Sequence, residues 1–365
     1  GFWAVSSISG KLSVSQFLTF WTRMDPILRT SYLPHHLIST ILGALSLVFL
    51  SQGLDKSSIK KVILAGVSGF LAGLIYFASM INILGGVIIV FFTYVCLSFI
   101  RKQRGIFGKI PFFLIYFGIS VLSFLYLLGL AKTTFPWSSY ANSGERFKFG
   151  FFINEYIGAL GPTIILTLLG IGSILRGIKW LPKMLLGWAI FPFAGLLIIN
   201  KIYLQFADIY YLEAASYIPL GILSVYGWKV LEQRIFQKIK GSAVIFAILL
   251  ILYFIPPLVS SFQTELSRFT PNYYNLYIPN ETLEGIKWLD INTPRESVVL
   301  AGGYFGSIIP AFSHNRVVYG HQAGTYNAIE KKQDIDLFFS QKDKNLALEI
   351  LRRYGVSYVF YAADT

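Results

Sequence analysis

Long runs of apolar residues recur through the first 260 residues and constrain the fold more than any other feature. Charged residues make up 13% of the chain, against about 25% in an average soluble domain. Each run is close to the ~20 residues that a helix needs to cross a bilayer. The sequence therefore predicts a mainly α-helical, polytopic membrane bundle with about eight spans. The predicted spans are 37–52, 62–81, 84–100, 110–130, 156–175, 184–199, 212–228 and 242–260.

Basic residues are concentrated in every second connection between these runs. Four connections contain 14 of the 31 Lys and Arg residues and only two acids: 55–61, 101–109, 176–183 and 229–241. Cytoplasmic loops of membrane proteins carry this excess of basic residues. The net charge of +13 therefore reflects topology and requires no nucleic-acid partner. The other connections, including residues 82–86, which we interpret as a tight hairpin, are predicted to be extracytoplasmic, as are both ends of the chain.

The composition changes after residue 261 to that of a water-soluble domain. Predicted strands alternate there with predicted helices, which is typical of a small parallel sheet in an α/β domain. Asn280 is the predicted N-cap of the first of these helices. The strands are predicted at 297–301, 316–319 and 356–361, and the helices at 281–290, 305–312, 328–340 and 344–354.

The chain is thus expected to comprise a transmembrane domain, 1–261, and an extracytoplasmic α/β domain, 262–365. Residues 1–34 form an N-terminal interfacial segment in this interpretation. Four apolar residues recur there at helical spacing: Phe17, Phe20, Trp21 and Met24. This stripe favours a helix that lies along the outer interface. The alternative is the end of an earlier span.

Titratable residues collect just before the first span, in Arg23, Asp25, Arg29, His35 and His36. Such a cluster is costly at a membrane boundary and therefore marks a candidate site. A carboxylate near arginines stays ionised, and Arg suits bidentate contacts to phosphate. Adjacent histidines on a helix point about 100° apart, so they do not readily share one metal ion. The alternative is an interfacial anchor in the headgroup zone.

Two further groups of polar residues are candidates. Asp208 and Glu213 stand at the outer end of the seventh predicted span, where they face either a cavity or water. The second group lies near predicted strand ends, where α/β proteins form their sites, or where polar residues simply pack. Its members are His314, Arg316, His321, Thr325, Lys331 and Lys332. The sequence contains no Walker loop, HExxH, CxxC or GxSxG motif, so ATP-driven transport and zinc hydrolysis lack support.

Two stretches carry a resemblance to a known family. One is Tyr32-Leu-Pro-His-His36, which opens a span. The other extends over residues 288–361 and includes Trp288-Leu-x-x-Asn-Thr-Pro294, Arg316-Val-Val-Tyr-Gly-His321 and Tyr354-Gly-Val-Ser-Tyr-Val-Phe-Tyr361. In these stretches the chain resembles the GT-C superfamily of membrane glycosyltransferases. The likeness is to bacterial members related to the dolichyl-phosphate-mannose–protein mannosyltransferases.

The resemblance implies transfer of a sugar from a polyprenyl-phosphate donor, on the outer face of the plasma (inner) membrane, to a glycan, lipid or protein acceptor. Among the residues of this chain, Asp25 is the candidate for an acid–base or metal-supporting role, and Arg23, Arg29, His35 and His36 are the candidates for phosphate contacts. Lys201, Asp208, Glu213 and His321 are the further substrate-binding candidates. No organic cofactor is implied, and a divalent cation supported by Asp25 is an option.

The main acidic motif of the superfamily lies in the first outer loop, so we expect an N-terminal part before Gly1 that carries the principal base. Asp25 is then expected to substitute for that base or to assist it. Two other classes remain open for this chain. A transporter or flippase of lipid-linked glycans would need charged residues in mid-span, and the predicted spans have none there. A non-catalytic membrane scaffold would dock a partner through its outer domain.

Overall fold

The chain is organised as two units. The computed structural model describes residues 5–8, 11–14, 34–101, 108–135, 138, 160–195, 217–236, 241–268, 278–321, 324–340 and 343–361. One unit comprises residues 1–128 and 144–267, and the other comprises residues 129–143 and 268–365.

Helices dominate the described residues between 34 and 268. Three of them are long and apolar enough to cross a membrane, at Pro34–Lys56, Phe77–Ile100 and Ile110–Leu130, which indicates a membrane protein. Two shorter apolar helices lie at Pro162–Arg176 and Ser242–Tyr253. The full helix bounds are α1 (Pro34–Lys56), α2 (Ile59–Ile75), α3 (Phe77–Arg101), α4 (Ile110–Thr133), α5 (Pro162–Arg176), α6 (Trp180–Ala194), α7 (Tyr217–Arg234) and α8 (Ser242–Arg268).

An antiparallel pair of strands, which the sequence did not predict, precedes α1. It consists of β1 (Val5–Ile8) and β2 (Lys11–Val14), with Val5 opposite Val14. The apolar stripe between Phe17 and Met24, predicted as an interfacial helix, falls outside the described residues.

The hairpin predicted at residues 82–86 is wrong. α2 ends at Ile75 and α3 begins at Phe77, so Tyr76 alone, with φ −156° and ψ 100°, separates the two helices. Gly86 instead lies inside α3, where a Cβ would overlap the backbone of Trp188 in α6. Small residues let helices approach closely within a membrane. The two glycines at 85–86 therefore mark a helix crossing and not a turn.

Residues of three basic connections meet at one end of the helices: the connection after α1, the one after α3 and the one before α6. The Lys109 amine donates to the Leu54 carbonyl (2.6 Å) and to the Ser57 hydroxyl (2.8 Å), which joins the start of α4 to the end of α1. Lys183, near the start of α6, is only 7% exposed and interacts electrostatically with Asp55. Residues from three of the four basic connections found in the sequence thus lie together at this end of the helices.

The second unit contains the small parallel sheet that the sequence predicts. Its central strand pairs with one neighbour on each side, in the order β4-β3-β5, and both pairings are parallel. The strands are shorter than predicted. The elements are α9 (Asn280–Asn292), β3 (Val298–Ala301), α10 (Gly303–Phe312), β4 (Arg316–Val317), α11 (Ala328–Ser340), α12 (Lys344–Arg353) and β5 (Tyr358–Phe360).

The central strand β3 separates two apolar cores because successive side chains in a strand point to opposite faces. Val299 packs with Ile286 and Phe305, whereas Leu300 packs with Ile335 and Ile350. The helices on both faces therefore cover a strand that reads as a continuous apolar run, as is usual for parallel sheets.

The predicted N-cap of α9 is wrong by one residue. Asn280 is the first residue of the helix and Pro279 is its N-cap. The Pro279 carbonyl already accepts the first helical hydrogen bond, from the Leu283 amide at 3.0 Å. This places Asn280 at the position after the cap.

A polar network around Asp334 joins α11 to the end of α12. Arg353 Nη1 lies 3.0 Å from Asp334 Oδ2, and the Tyr354 hydroxyl donates to the same oxygen at 2.6 Å. Burial, together with the hydrogen bond to Asp334, raises the pKa of Tyr354 from 10.0 to about 12. Since the folded-state pKa lies above the unfolded value, this contribution to stability is complete below pH 10 and is lost as the pH rises towards 12.

We expect Tyr354→Phe to lower the free energy of unfolding by about 1 kcal/mol at neutral pH, because one hydrogen bond is lost. Between pH 10 and about pH 12 the variant should also lose less stability than the wild type, because it has no hydroxyl to deprotonate at this position. Chemical unfolding of both proteins, followed from neutral pH to about pH 12, measures the difference. An identical alkaline loss in the two proteins would contradict this assignment.

Candidate functional site

The start of α1 places two adjacent histidines in different surroundings. Pro34 is the first residue of the helix. Proline suits this position because a backbone N–H there would make no hydrogen bond within the helix. His36 is buried, with 3% of its surface exposed, whereas His35 is exposed. The helical offset between neighbouring residues produces this difference, as the sequence predicts.

A tyrosine that the sequence analysis missed completes the site. The ring of Tyr76 stacks on His36, with centroids 3.7 Å apart and planes 16° from parallel. His35 approaches both rings edge-on, at 4.3 Å from His36 and 5.9 Å from Tyr76. We call these three residues the His–Tyr cluster. Because Tyr76 separates α2 from α3, the cluster lies where the first three helices meet.

A layer of buried hydroxyls lies one turn further into the helices. Thr40 donates to the carbonyl of His36 at 2.8 Å, and the Ser79 hydroxyl lies 3.4 Å from Thr40. Because the Thr40 hydroxyl donates its proton to the His36 carbonyl, the Ser79 hydroxyl is the donor to Thr40. Ser39 lies within hydrogen-bond distance of the carbonyls of Ala72 (2.9 Å) and Tyr76 (3.1 Å).

These hydroxyls bond to one another and to backbone carbonyls, as burial in an apolar region requires. Their contacts join α1 to the end of α2 and the start of α3. The layer therefore holds the backbone of His36 in place at the start of α1. Imidazole is a side chain that can donate to a phosphate or transfer a proton near neutral pH.

The structure brings together only part of the predicted site. His35 and His36 are neighbours in the His–Tyr cluster. The remaining predicted residues of the membrane domain lie outside the described part of the chain: Arg23, Asp25, Arg29, Lys201, Asp208 and Glu213.

The polar residues predicted to cluster near strand ends divide between the two ends of β4. Before the strand, His314 Nδ1 lies 2.8 Å from Asp290 Oδ1, and its Nε2 lies 3.0 Å from the Thr293 carbonyl. These contacts join β4 to the end of α9. After the strand, His321 and Lys331 line a cleft together. His314 is thus a structural residue, and His321 belongs to a separate cavity.

A metal site finds no support among the residues that the structure describes. No group of three or more His, Cys, Asp or Glu residues is placed to hold an ion there. The divalent cation considered from the sequence would involve Asp25, which lies outside these residues.

Comparison with known proteins adds no relative to this picture. Neither a protein-family model nor a curated protein sequence matches the chain.

Proposed function

We propose that this protein is a membrane glycosyltransferase of the GT-C type, which transfers a sugar from a polyprenyl-phosphate donor to an acceptor. The observation that carries the proposal is the buried imidazole of His36, stacked on Tyr76 where three helices meet. Titratable groups within membrane helices are costly to bury and usually mark the path or the site of a polar substrate.

In this proposal the chain crosses the plasma (inner) membrane eight times, with both ends and the α/β domain extracytoplasmic. The basic connections face the cytoplasm. α1 then has Lys56 at its inner end and His36 at its outer end. The length of α1 supports this arrangement, since 23 residues suffice to cross a bilayer. The His–Tyr cluster would therefore lie at the outer face, where polyprenyl-phosphate sugars are used.

The chemistry requires a base for the acceptor and positive charge for the leaving group. The acceptor hydroxyl oxygen bonds to the anomeric carbon while the bond from that carbon to the phosphate oxygen breaks. Asp25 takes the hydroxyl proton, and the lipid phosphate leaves with the electron pair. Arg23, Arg29, His35 and His36 stabilise the negative charge that develops on it.

The remaining candidates would serve binding. Lys201, Asp208 and Glu213 follow the sixth predicted span and would contact the donor. A divalent cation held with Asp25 would add positive charge at the phosphate.

A reconstituted assay tests the role of His36. The purified protein in lipid vesicles is given a polyprenyl-phosphate sugar with a labelled hexose, and label transferred to an acceptor is counted. His36→Phe keeps a ring that can stack on Tyr76 but removes the nitrogen atoms. We expect transfer to fall about tenfold or more, the usual effect of losing a hydrogen bond to a charged group.

Thermal unfolding of the same preparations controls for folding, because a stacked phenyl ring should leave the melting temperature nearly unchanged. Transfer by His36→Phe at the wild-type rate would mean that the ring only packs the helices. A protein that moves the lipid-linked sugar across the vesicle membrane without breaking its bond to phosphate would be a flippase. A protein that does neither would fit a scaffold.

A further inference from the structure

The second unit contains a cleft at the end of β4, lined by the substrate-binding candidate His321, to which the proposed transfer reaction assigns no chemical step. Its volume is about 340 Å³, which is within the range of small-molecule sites. One wall is α10, with Gly306 and Ser307, and the other is the segment that follows β4, with Gly320 and His321. Lys331, on α11, reaches the cleft from the far side.

Close backbone contact forms the base of this cleft. A Cβ on Gly306 would overlap the carbonyl oxygen of Tyr319, and a Cβ on Gly320 would lie 3.2 Å from the Gly306 carbonyl oxygen. The helix and the end of the strand therefore touch through their main chains. Direct contact between the backbones at Gly306, Tyr319 and Gly320 therefore shapes this part of the cleft.

Hydrogen bonds with Gly324 and Thr325 hold the backbone at Gly320 and His321, after β4. The Gly320 amide donates to Thr325 Oγ1 at 3.1 Å, and the Thr325 hydroxyl donates to the His321 carbonyl at 2.9 Å. The Gly324 amide donates to the same carbonyl at 3.0 Å. Thr325 is therefore a positioning residue, since its hydroxyl already bonds the backbone of Gly320 and His321.

Charge distinguishes the cleft from the surrounding surface. Lys332 is bound to Asp336 at 2.9 Å, and Arg353 is bound to Asp334 and Glu349. Lys331 is half-buried and has no carboxylate at ion-pair distance among the residues described, and its amine lies 5.9 Å from the centroid of the Tyr354 ring. Among the residues that the structure describes, the side chains that line the cleft include no acid.

We infer that this cleft binds a phosphate group, alone or as the monoester or headgroup phosphate of a larger molecule, between Lys331 and His321. An amine, an imidazole and the Ser307 hydroxyl can all donate to phosphate oxygens, and a lysine without an acidic partner supplies the charge. Tyr326, 67% exposed at the rim, offers an aromatic face to a sugar attached to that phosphate.

Protection of His321 from diethylpyrocarbonate tests this inference. The full chain is modified at constant ionic strength, and mass spectrometry of its peptides gives separate rates for His321 and His314. The probes are inorganic phosphate, glucose 1-phosphate, and vesicles of phosphatidylglycerol compared with phosphatidylcholine. If the Kd is millimolar, a probe at about ten times Kd should slow modification of His321 about tenfold. The rate at His314 should not change.

Lys331→Gln provides the decisive variant and Lys332→Gln the matched control. The first should weaken protection at least about tenfold, because it removes a charged donor. The second removes the same charge from the next residue, outside the cleft, and should leave protection unchanged. Lys331→Arg, which restores the charge, should recover it and excludes misfolding as the cause.

The probes also identify the source of the phosphate. Protection by the soluble probes assigns a free or sugar-bound phosphate, and protection by anionic vesicles alone assigns a lipid headgroup. No protection by any probe, or equal protection in Lys331→Gln and Lys332→Gln, would overturn the inference. Neither result depends on sugar transfer, so the inference can fail while the proposed function stands.

Discussion

Asp25→Asn is expected to abolish sugar transfer while leaving the amount of folded protein unchanged. The substitution keeps the size of the side chain and its ability to accept a hydrogen bond, but an amide cannot take a proton from the acceptor hydroxyl. Loss of a general base commonly lowers a rate by about 10²–10⁴-fold. The measurement is the reconstituted transfer assay, made on the full-length protein with a labelled polyprenyl-phosphate sugar.

Two variants make this result specific. Asp55→Asn removes an acid from the opposite end of the helices, near Lys183, and should leave transfer near the wild-type rate. Asp25→Glu keeps a carboxylate and should retain more activity than the amide. Turnover by Asp25→Asn at the wild-type rate would remove Asp25 from the reaction and leave the phosphate contacts of the proposal to be tested alone.

Gly187→Leu is expected to prevent stable assembly of the helices. Gly187 of α6 crosses Gly86 of α3 so closely that a Cβ on either residue would overlap the backbone of the other helix. The bulky side chain must push the helices apart, and overpacking of this kind costs about 3 kcal/mol at the upper end of its usual range. That is a large share of the about 5–15 kcal/mol by which proteins are usually stable. Thermal unfolding in detergent and size-exclusion chromatography would show loss of the monodisperse folded protein.

The matched control is Gly118→Leu, in α4. Nothing lies within 4 Å of a Cβ at Gly118, and the residue is exposed on a membrane-length helix. The same substitution should therefore be tolerated there, since lipid accommodates a leucine. Equal destabilisation by both variants would attribute the effect to the loss of glycine itself and not to the helix crossing.

The His–Tyr cluster shows how much of the candidate site could be predicted. The sequence identified His35 and His36 as titratable residues at a helix start, because polar residues beside an apolar run are visible without a structure. Tyr76 was missed, since a tyrosine inside the predicted span 62–81 has no local signal that separates it from its neighbours. Its role comes from a one-residue break that returns the chain to the start of α1.

In the α/β unit, too, the sequence predicted some features and only the structure revealed others. The order of strands and helices and the parallel sheet were predicted and are confirmed. The sequence grouped His314 with His321, although the structure places them at opposite ends of β4, where one joins α9 and the other lines the cleft. Seven residues of separation gave no indication of which end each would occupy.

The sequence alone thus determined the membrane character of the chain, the excess of basic residues in alternate connections, and the α/β character of the last hundred residues. These properties follow from the free energy of transferring each segment from water to an apolar phase. That free energy depends on the residues of the segment itself. Only the tertiary structure decided that Gly85 and Gly86 form a helix crossing and that Tyr76 covers His36. Such contacts depend on the surface of a second helix, which a local pattern does not contain.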